Sequence, residues 1–327
     1  MARSHLTLAA LATSAVAGLD IAGAQPFGSP GGDFDAAILT GRDGRHWIIR
    51  VPRSERAEQE QSADLIALRA LSTGVRARLP FTVSTFAGQV PVDGTRAVVS
   101  EFVYGSKVPL TAMSLELAAS IGESIAAIHS LPPNVVIDAG LPSHSPVETL
   151  RAVVALMDRA AATGLVPAAL LSRWERASEE PTLWQFTPSV VNGALGSDSF
   201  LSVDDTVTGM LGWHGLRVGD PAADLQWLAA SGIDLADAAF AAYSRVRGTV
   251  DRQLRQRASL LSELEIARWL LHGTETRSTE IVDDAVQMLS ALVDETQKDL
   301  MNPIGGPSVP LGVDEVEQLL ERTSRIH

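Results

Sequence analysis

Residues Pro188 to Leu228 constrain the fold more than any other part of the chain. They read P-S-V-V-N-G-A-L-G-S-D-S-F-L-S-V-D-D-T-V-T-G-M-L-G-W-H-G-L-R-V-G-D-P-A-A-D-L-Q-W-L and interrupt a C-terminal half whose apolar spacing is otherwise helical. The interruption closes at Gly219-Asp220-Pro221, where proline at the start of the next helix and the acids Asp220 and Asp224 read as capping and bracing groups.

The N-terminal half reads differently. Ala36 to Thr40 and His46 to Val51 flank Asp43-Gly44, a strong hairpin signal. Phe27 to Gly32 (F-G-S-P-G-G) is a glycine-rich loop ahead of that hairpin, able to cover phosphates with backbone N–H groups or to serve as a plain connection. Ser54 to Leu71 reads as a helix with Ser54 as N-cap, acids in its first turns and Leu65, Leu68 and Leu71 at helical spacing. Leu79-Pro80-Phe81 leads into a short strand, and Arg96 to Val103 is a second β-rich run. The first 24 residues imitate a secretory signal, yet Thr7, Thr13 and Ser14 dilute the apolar run and Ser4 can cap it, so a retained helix is expected.

Further on, Ser114 to His129 carries Leu117, Ile121, Ile125 and Ile128 on one face of a helix, with His129 in the last turn expected to serve the core rather than chemistry. Pro146 to Ala162, Pro167 to Ala177, Leu235 to Arg247, Ser259 to Leu271 and Thr279 to Asp294 complete a helical half. Met301 to His327 reads as linker and tail. A chain of 327 residues, 46% hydrophobic and 20% charged, suits two folded lobes. The net charge of −13 argues against a nucleic-acid surface and leaves a small molecule, cationic ones included, or a protein as partner. With no cysteine, thiolate chemistry and disulfides are excluded, and the seven histidines show no metal-binding spacing. No run of about 18 apolar residues suggests a membrane span; a cytoplasmic location is expected.

Several short segments fall into a recognisable order: W-I-I-R-V-P-R (Trp47 to Arg53), L-P-F (Leu79 to Phe81), G-E-S-I-A-A-I-H-S-L (Gly122 to Leu131), V-N-G-A-L (Val191 to Leu195), G-D-P-A-A-D-L (Gly219 to Leu225) and A-R-W-L-L-H-G (Ala267 to Gly273). Together they make the chain resemble the aminoglycoside and macrolide phosphotransferase family, whose fold is similar to that of protein kinases. The resemblance implies an α+β, protein-kinase-like two-lobe fold: a small β-rich N-lobe (1–103), a larger helical C-lobe (104–296) and a tail (297–327).

The family's catalytic loop reads H-G-D-L-x-x-x-N. The matching residues here are Asn192, Gly193, Ala194, Leu195 and Ser199, so alanine stands where the resemblance implies a proton-accepting aspartate. The family's metal-binding aspartate precedes a tryptophan; here that place is Gly212, before Trp213. The resemblance further maps a nucleotide site onto Arg50, Asp64 (Glu60 one turn away) and the backbone of Glu101, Phe102 and Val103; an Arg50–Asp64 pair there could hold a phosphate or simply brace the lobe, and no cofactor is certain, ATP or GTP being the candidates, with weak or no magnesium dependence given the missing acids. The expected function is a catalytically inactive phosphotransferase-like protein that works by binding. The alternative is an active phosphotransferase on a hydroxylated cationic small molecule that uses Asp198, Asp204, Asp205 or His214 in place of the missing acids. A third reading is a carrier whose Glu280, Asp283 and Asp284 meet a cation.

Overall fold

The computed structural model describes residues 3–28, 31–248 and 251–298. The expected C-terminal tail lies outside the described residues, apart from the end of the last helix. The chain opens with helix α1 (His5–Ala15), whose N-cap is Ser4: the Ser4 hydroxyl accepts the Thr7 N–H at 3.1 Å. Strands β1 (Ile21–Phe27), β2 (Phe34–Gly41) and β3 (His46–Pro52) follow. Next come helix α2 (Glu55–Ala70), a turn of helix α3 (Thr73–Arg76), and strands β4 (Thr82–Val83), β5 (Phe86–Val92) and β6 (Thr95–Glu101).

The first sheet is antiparallel in the order β1-β2-β3-β6-β5. Its faces alternate as a half-buried pleat demands: Ala37, Leu39, Trp47, Ile49, Ala97 and Val99 turn to one side and pack against Leu8 and Ala12 of α1. Gly88 on β5 lies so close to α1 that a Cβ there would collide with the Ala15 carbonyl. The Asp43-Gly44 hairpin forms as expected, with Gly44 at φ +80°. The helix expected over the first 24 residues ends at Ala15, and Ile21–Phe27 is instead an edge strand, because its backbone has β2 to pair with despite its glycine and proline.

The second half is built from α4 (Leu115–His129), α5 (Asn134–Ile137), α6 (Pro146–Ala162), α7 (Ala168–Glu179), α8 (Ala222–Ala229), α9 (Ile233–Arg247), α10 (Leu254–Thr276) and α11 (Thr279–Lys298). Helix α10 is longer than its apolar spacing suggests, since it packs along α6, α8 and α11 over most of its length. Between α7 and α8 lie strands β7 (Ser189–Val191), β8 (Phe200–Val203), β9 (Thr206–Met210) and β10 (Arg217–Gly219). Strand β7 pairs with β10, and β8 and β9 form a hairpin whose turn is Asp204-Asp205, both at positive φ (+48° and +56°). Strand β4 joins that hairpin from the N-terminal half, running parallel to β9 with Thr82 opposite Gly209. The larger core takes in the C-terminal half of α2 as well, through Ala67, Leu68 and Leu71.

Candidate functional site

The loop after β7 is held from below by one buried carboxylate. Asp224, on the first turn of α8 and fully buried, accepts the N–H of Asn192 at 2.7 Å, the N–H of Gly193 at 2.6 Å and His129 Nε2 at 3.1 Å. The other ring nitrogen of His129 meets the Tyr243 hydroxyl at 2.9 Å. A neutral imidazole protonated on Nε2 satisfies this chain of contacts: Nε2 donates to Asp224, and Nδ1 accepts from a tyrosine whose burial raises its pKa and keeps its proton in place. His129 is therefore a core residue that fixes the loop. Asp220 pairs with a buried cation, with Arg257 Nε at 2.9 Å and Nη2 at 3.0 Å, and caps Ala222 at 2.9 Å.

Above this base the loop is closely fitted. Gly193 adopts φ +79°, and a Cβ there would collide with Arg217 Nη1. Asn192 is buried; its side-chain amide donates to the Gly212 carbonyl at 2.9 Å, and its Oδ1 accepts the Ala194 N–H at 3.2 Å. The side chain of Asn192 therefore joins the loop to the segment carrying Gly212. Ser199 is buried, with its hydroxyl accepting the Gly196 N–H at 3.2 Å. Ala194 is exposed at the loop surface. Gly212 has φ +73°, and a Cβ built on it meets nothing within 4 Å.

A divalent cation needs oxygen ligands in this region, and the residues present do not fit one. Ala194 and Gly212 offer no side-chain oxygen, and the oxygens of Asn192 and Ser199 are engaged with loop backbone. Among the described residues no group of three or more His, Asp or Glu side chains gathers as a metal site. Of the acids near in sequence, Asp198 is exposed and lies 3.6 Å from Lys107, Asp204 and Asp205 form the β8–β9 turn, and His214 is exposed. Asp205 also accepts the Ser114 hydroxyl at 2.7 Å.

On the sheet side, Arg50 and Asp64 do not form the direct pair that sequence reasoning brought together; no ion pair joins them among the described residues. The Arg50 guanidinium sits over the Phe34 ring, 4.1 Å from its centroid, and burial lowers its pKa. The Asp64 carboxylate accepts the Trp213 N–H at 2.6 Å, and burial raises its pKa against the opposing effects of that hydrogen bond and of Arg50. Glu60 instead pairs with Arg56 at 3.4 Å. In the connection out of β6, the Glu101 carbonyl accepts from Ser84 at 3.2 Å and the Phe102 N–H donates to His46 at 3.1 Å. Buried Val103 follows; among the described residues its N–H and C=O have no partner.

A cavity of about 410 Å³ opens beside Gly193, between α6, β10, α8 and α10. Sequence reasoning missed it, because its walls come from four segments distant in sequence. Glu280, Asp283 and Asp284 do not line it; they lie on the exposed side of α11, where Asp284 accepts from Trp269 at 2.8 Å.

The chain matches the model of the phosphotransferase enzyme family (APH) over residues 25–292. No curated protein matches it. Among solved structures it is similar to macrolide 2'-phosphotransferase MphH from Brachybacterium faecium, an apoenzyme (TM-score 0.72, 22% identity, covering 88% of this chain and 98% of that one). It is similar also to macrolide 2'-phosphotransferase type I (TM-score 0.69, 24% identity, 87% and 95%). A third is aminoglycoside 2'-phosphotransferase-IIIa in its GDP complex (TM-score 0.71, 18% identity, 88% and 98%). At such identities the structural likeness carries the fold, a protein-kinase-like one, while the family model spans most of the sequence. By that match the chain belongs to the phosphotransferase enzyme family.

Proposed function

We propose that this protein is a catalytically inactive member of its family, a pseudokinase that acts by binding a small molecule or a protein partner. The reading is carried by one observation: the loop after β7 keeps its hydrogen-bonded frame through Asp224, His129 and Asn192, while Ala194 and Gly212 supply no carboxylate above it. Loss of a general base costs about 10²- to 10⁴-fold in rate. Phosphoryl transfer rests almost wholly on positioning and charge neutralisation, so losing the metal ligand as well leaves little to drive it. Asp198 does not replace them in this reading, since it is exposed and faces Lys107.

A nucleotide, ATP or GTP, is assigned to the cleft between the lobes 1–103 and 104–296, with its base against the free backbone groups of Val103 and its phosphates near Arg50. Calorimetry with and without magnesium tests this: the expected result is nucleotide binding that ignores magnesium, together with no ATP turnover above background. Magnesium-dependent turnover that disappears in Asp198→Ala would instead establish an active phosphotransferase with displaced acids and end this reading.

A further inference from the structure

The cavity beside Gly193 is lined by both signs of charge, but its carboxylates are already engaged. Asp220 is taken by Arg257 and the Ala222 N–H. Glu148 accepts both the N–H and the hydroxyl of Ser145, each at 2.8 Å. Glu265 accepts Gln226 at 3.0 Å and pairs with Arg268. Of the two arginines in its wall, Arg268 has a carboxylate partner in Glu265, and Arg217 has none among the described residues.

Arg217 projects from β10 with only one edge of its guanidinium in use. Nη1 donates to the carbonyls of Gly193 at 3.2 Å and Gly215 at 3.0 Å. Its Nε and Nη2 have no acceptor among the described residues, and no carboxylate there lies within ion-pair distance. These two nitrogens share one side of the planar group and form the fork that grips a carboxylate or phosphate with two parallel hydrogen bonds. Gly219, also in the cavity wall, puts no side chain against the fork, where a Cβ would sit in van der Waals contact with Nε at 3.6 Å. Burial lowers the pKa of Arg217, the mark of a cation short of water; Asp224 and Asp220 oppose that shift without reaching hydrogen-bond distance, and a second cation, Arg268, adds to it. A half-buried guanidinium with two idle donors is costly to keep unless something anionic answers it.

We propose that this cavity binds a small molecule bearing a carboxylate or a phosphate monoester, held side-on by Nε and Nη2 of Arg217. The inference rests on the binding role proposed above only in that the protein works by binding a small molecule; the cavity lies within residues 104–296, apart from the nucleotide cleft, and needs neither nucleotide nor magnesium. Isothermal titration of the full chain tests it with inorganic phosphate, glycerol 3-phosphate and citrate as anionic probes and kanamycin as a cationic one. Binding of one or more anions is expected, and whether the phosphates or citrate bind tells the two chemistries apart. Arg217→Gln should weaken that binding about tenfold or more, the scale of a lost charge-assisted hydrogen bond. Because Arg217 also braces two carbonyls, Ala152→Trp serves as a second variant: it blocks the cavity from an exposed position on α6 and should abolish binding with the loop untouched. The proposal is overturned if no anionic probe binds, if both variants bind as the wild type does, if kanamycin is the probe that binds, or if ADP displaces the bound anion. ATP turnover measured alongside separates the two readings: turnover with anion binding intact defeats only the pseudokinase, and neither turnover nor anion binding defeats only the anion site.

Discussion

At the scale of single residues, Asp64 is a carboxylate deprived of most of its water and given one short backbone hydrogen bond, from Trp213, in return. Truncation in Asp64→Ala leaves that N–H without its acceptor and should cost about 1–3 kcal/mol in a denaturant titration. Asp64→Asn keeps an acceptor and removes a desolvated charge, so it should be close to neutral at pH 7. The two also differ in pH dependence. Folding raises the pKa of Asp64, so the folded state binds its proton more tightly; the contribution is full below about pH 4 and is lost as pH rises through the folded value. Wild-type stability should therefore show a decline across that window that Asp64→Asn lacks; identical profiles for the two would refute it. Gly212 makes the complementary case. Space exists for a side chain, and the left-handed backbone costs a non-glycine residue about 1–2 kcal/mol, least for aspartate and asparagine. Ala194→Asp with Gly212→Asp should fold and gain measurable magnesium-dependent ATP hydrolysis, whereas a well-folded, inert double variant would mean that the chemistry lacks more than these two acids.

At the scale of elements, helix α4 and helix α9 meet where Gly122 lies against the backbone of Ala239, close enough that any Cβ would collide with its carbonyl. Gly122→Val should force the pair apart and cost at least about 1–3 kcal/mol, seen as a lowered midpoint of thermal unfolding. Helices such as α4 and α6 were legible because each carries its own start signal and one apolar face: Ser114 accepts the Leu117 N–H at 3.0 Å, and Ser145 and Glu148 form a capping box. The hairpin of β2 and β3 was legible from Asp43-Gly44 for the same local reason. Strands β1 and β5 were not, since an edge strand interrupted by glycine and proline owes its form to the partner it pairs with. The site divides likewise. Which side chains are absent from the loop after β7 could be read directly, but Asp64 reaching Trp213 instead of Arg50, and the idle fork of Arg217, depend on contacts between distant segments.

At the scale of the whole molecule, two cores share the work. The smaller is the sheet face under α1, and the larger takes in the helices with part of α2. Leu8→Ala removes a fully buried side chain from the smaller core and should cost about 2–5 kcal/mol. Hydrogen exchange should show that loss as reduced protection in β2, β3 and β6, with α4 and α10 unchanged; a uniform loss would mean that the cores do not unfold separately. Among the described residues, two hydrogen-bonded attachments tie residues 1–103 to β9 and the loop after it: Asp64 on α2 to Trp213, and β4 laid parallel to β9. Strand β9 runs on to Leu211 and Gly212, so the chain that leaves α2 is clamped on both sides of the loop that the missing acids would have served. The junction is consequently a double strut rather than a hinge. A displacement of α2 must either break the Asp64–Trp213 hydrogen bond or carry Trp213, and with it the neighbouring Gly212, along with the helix.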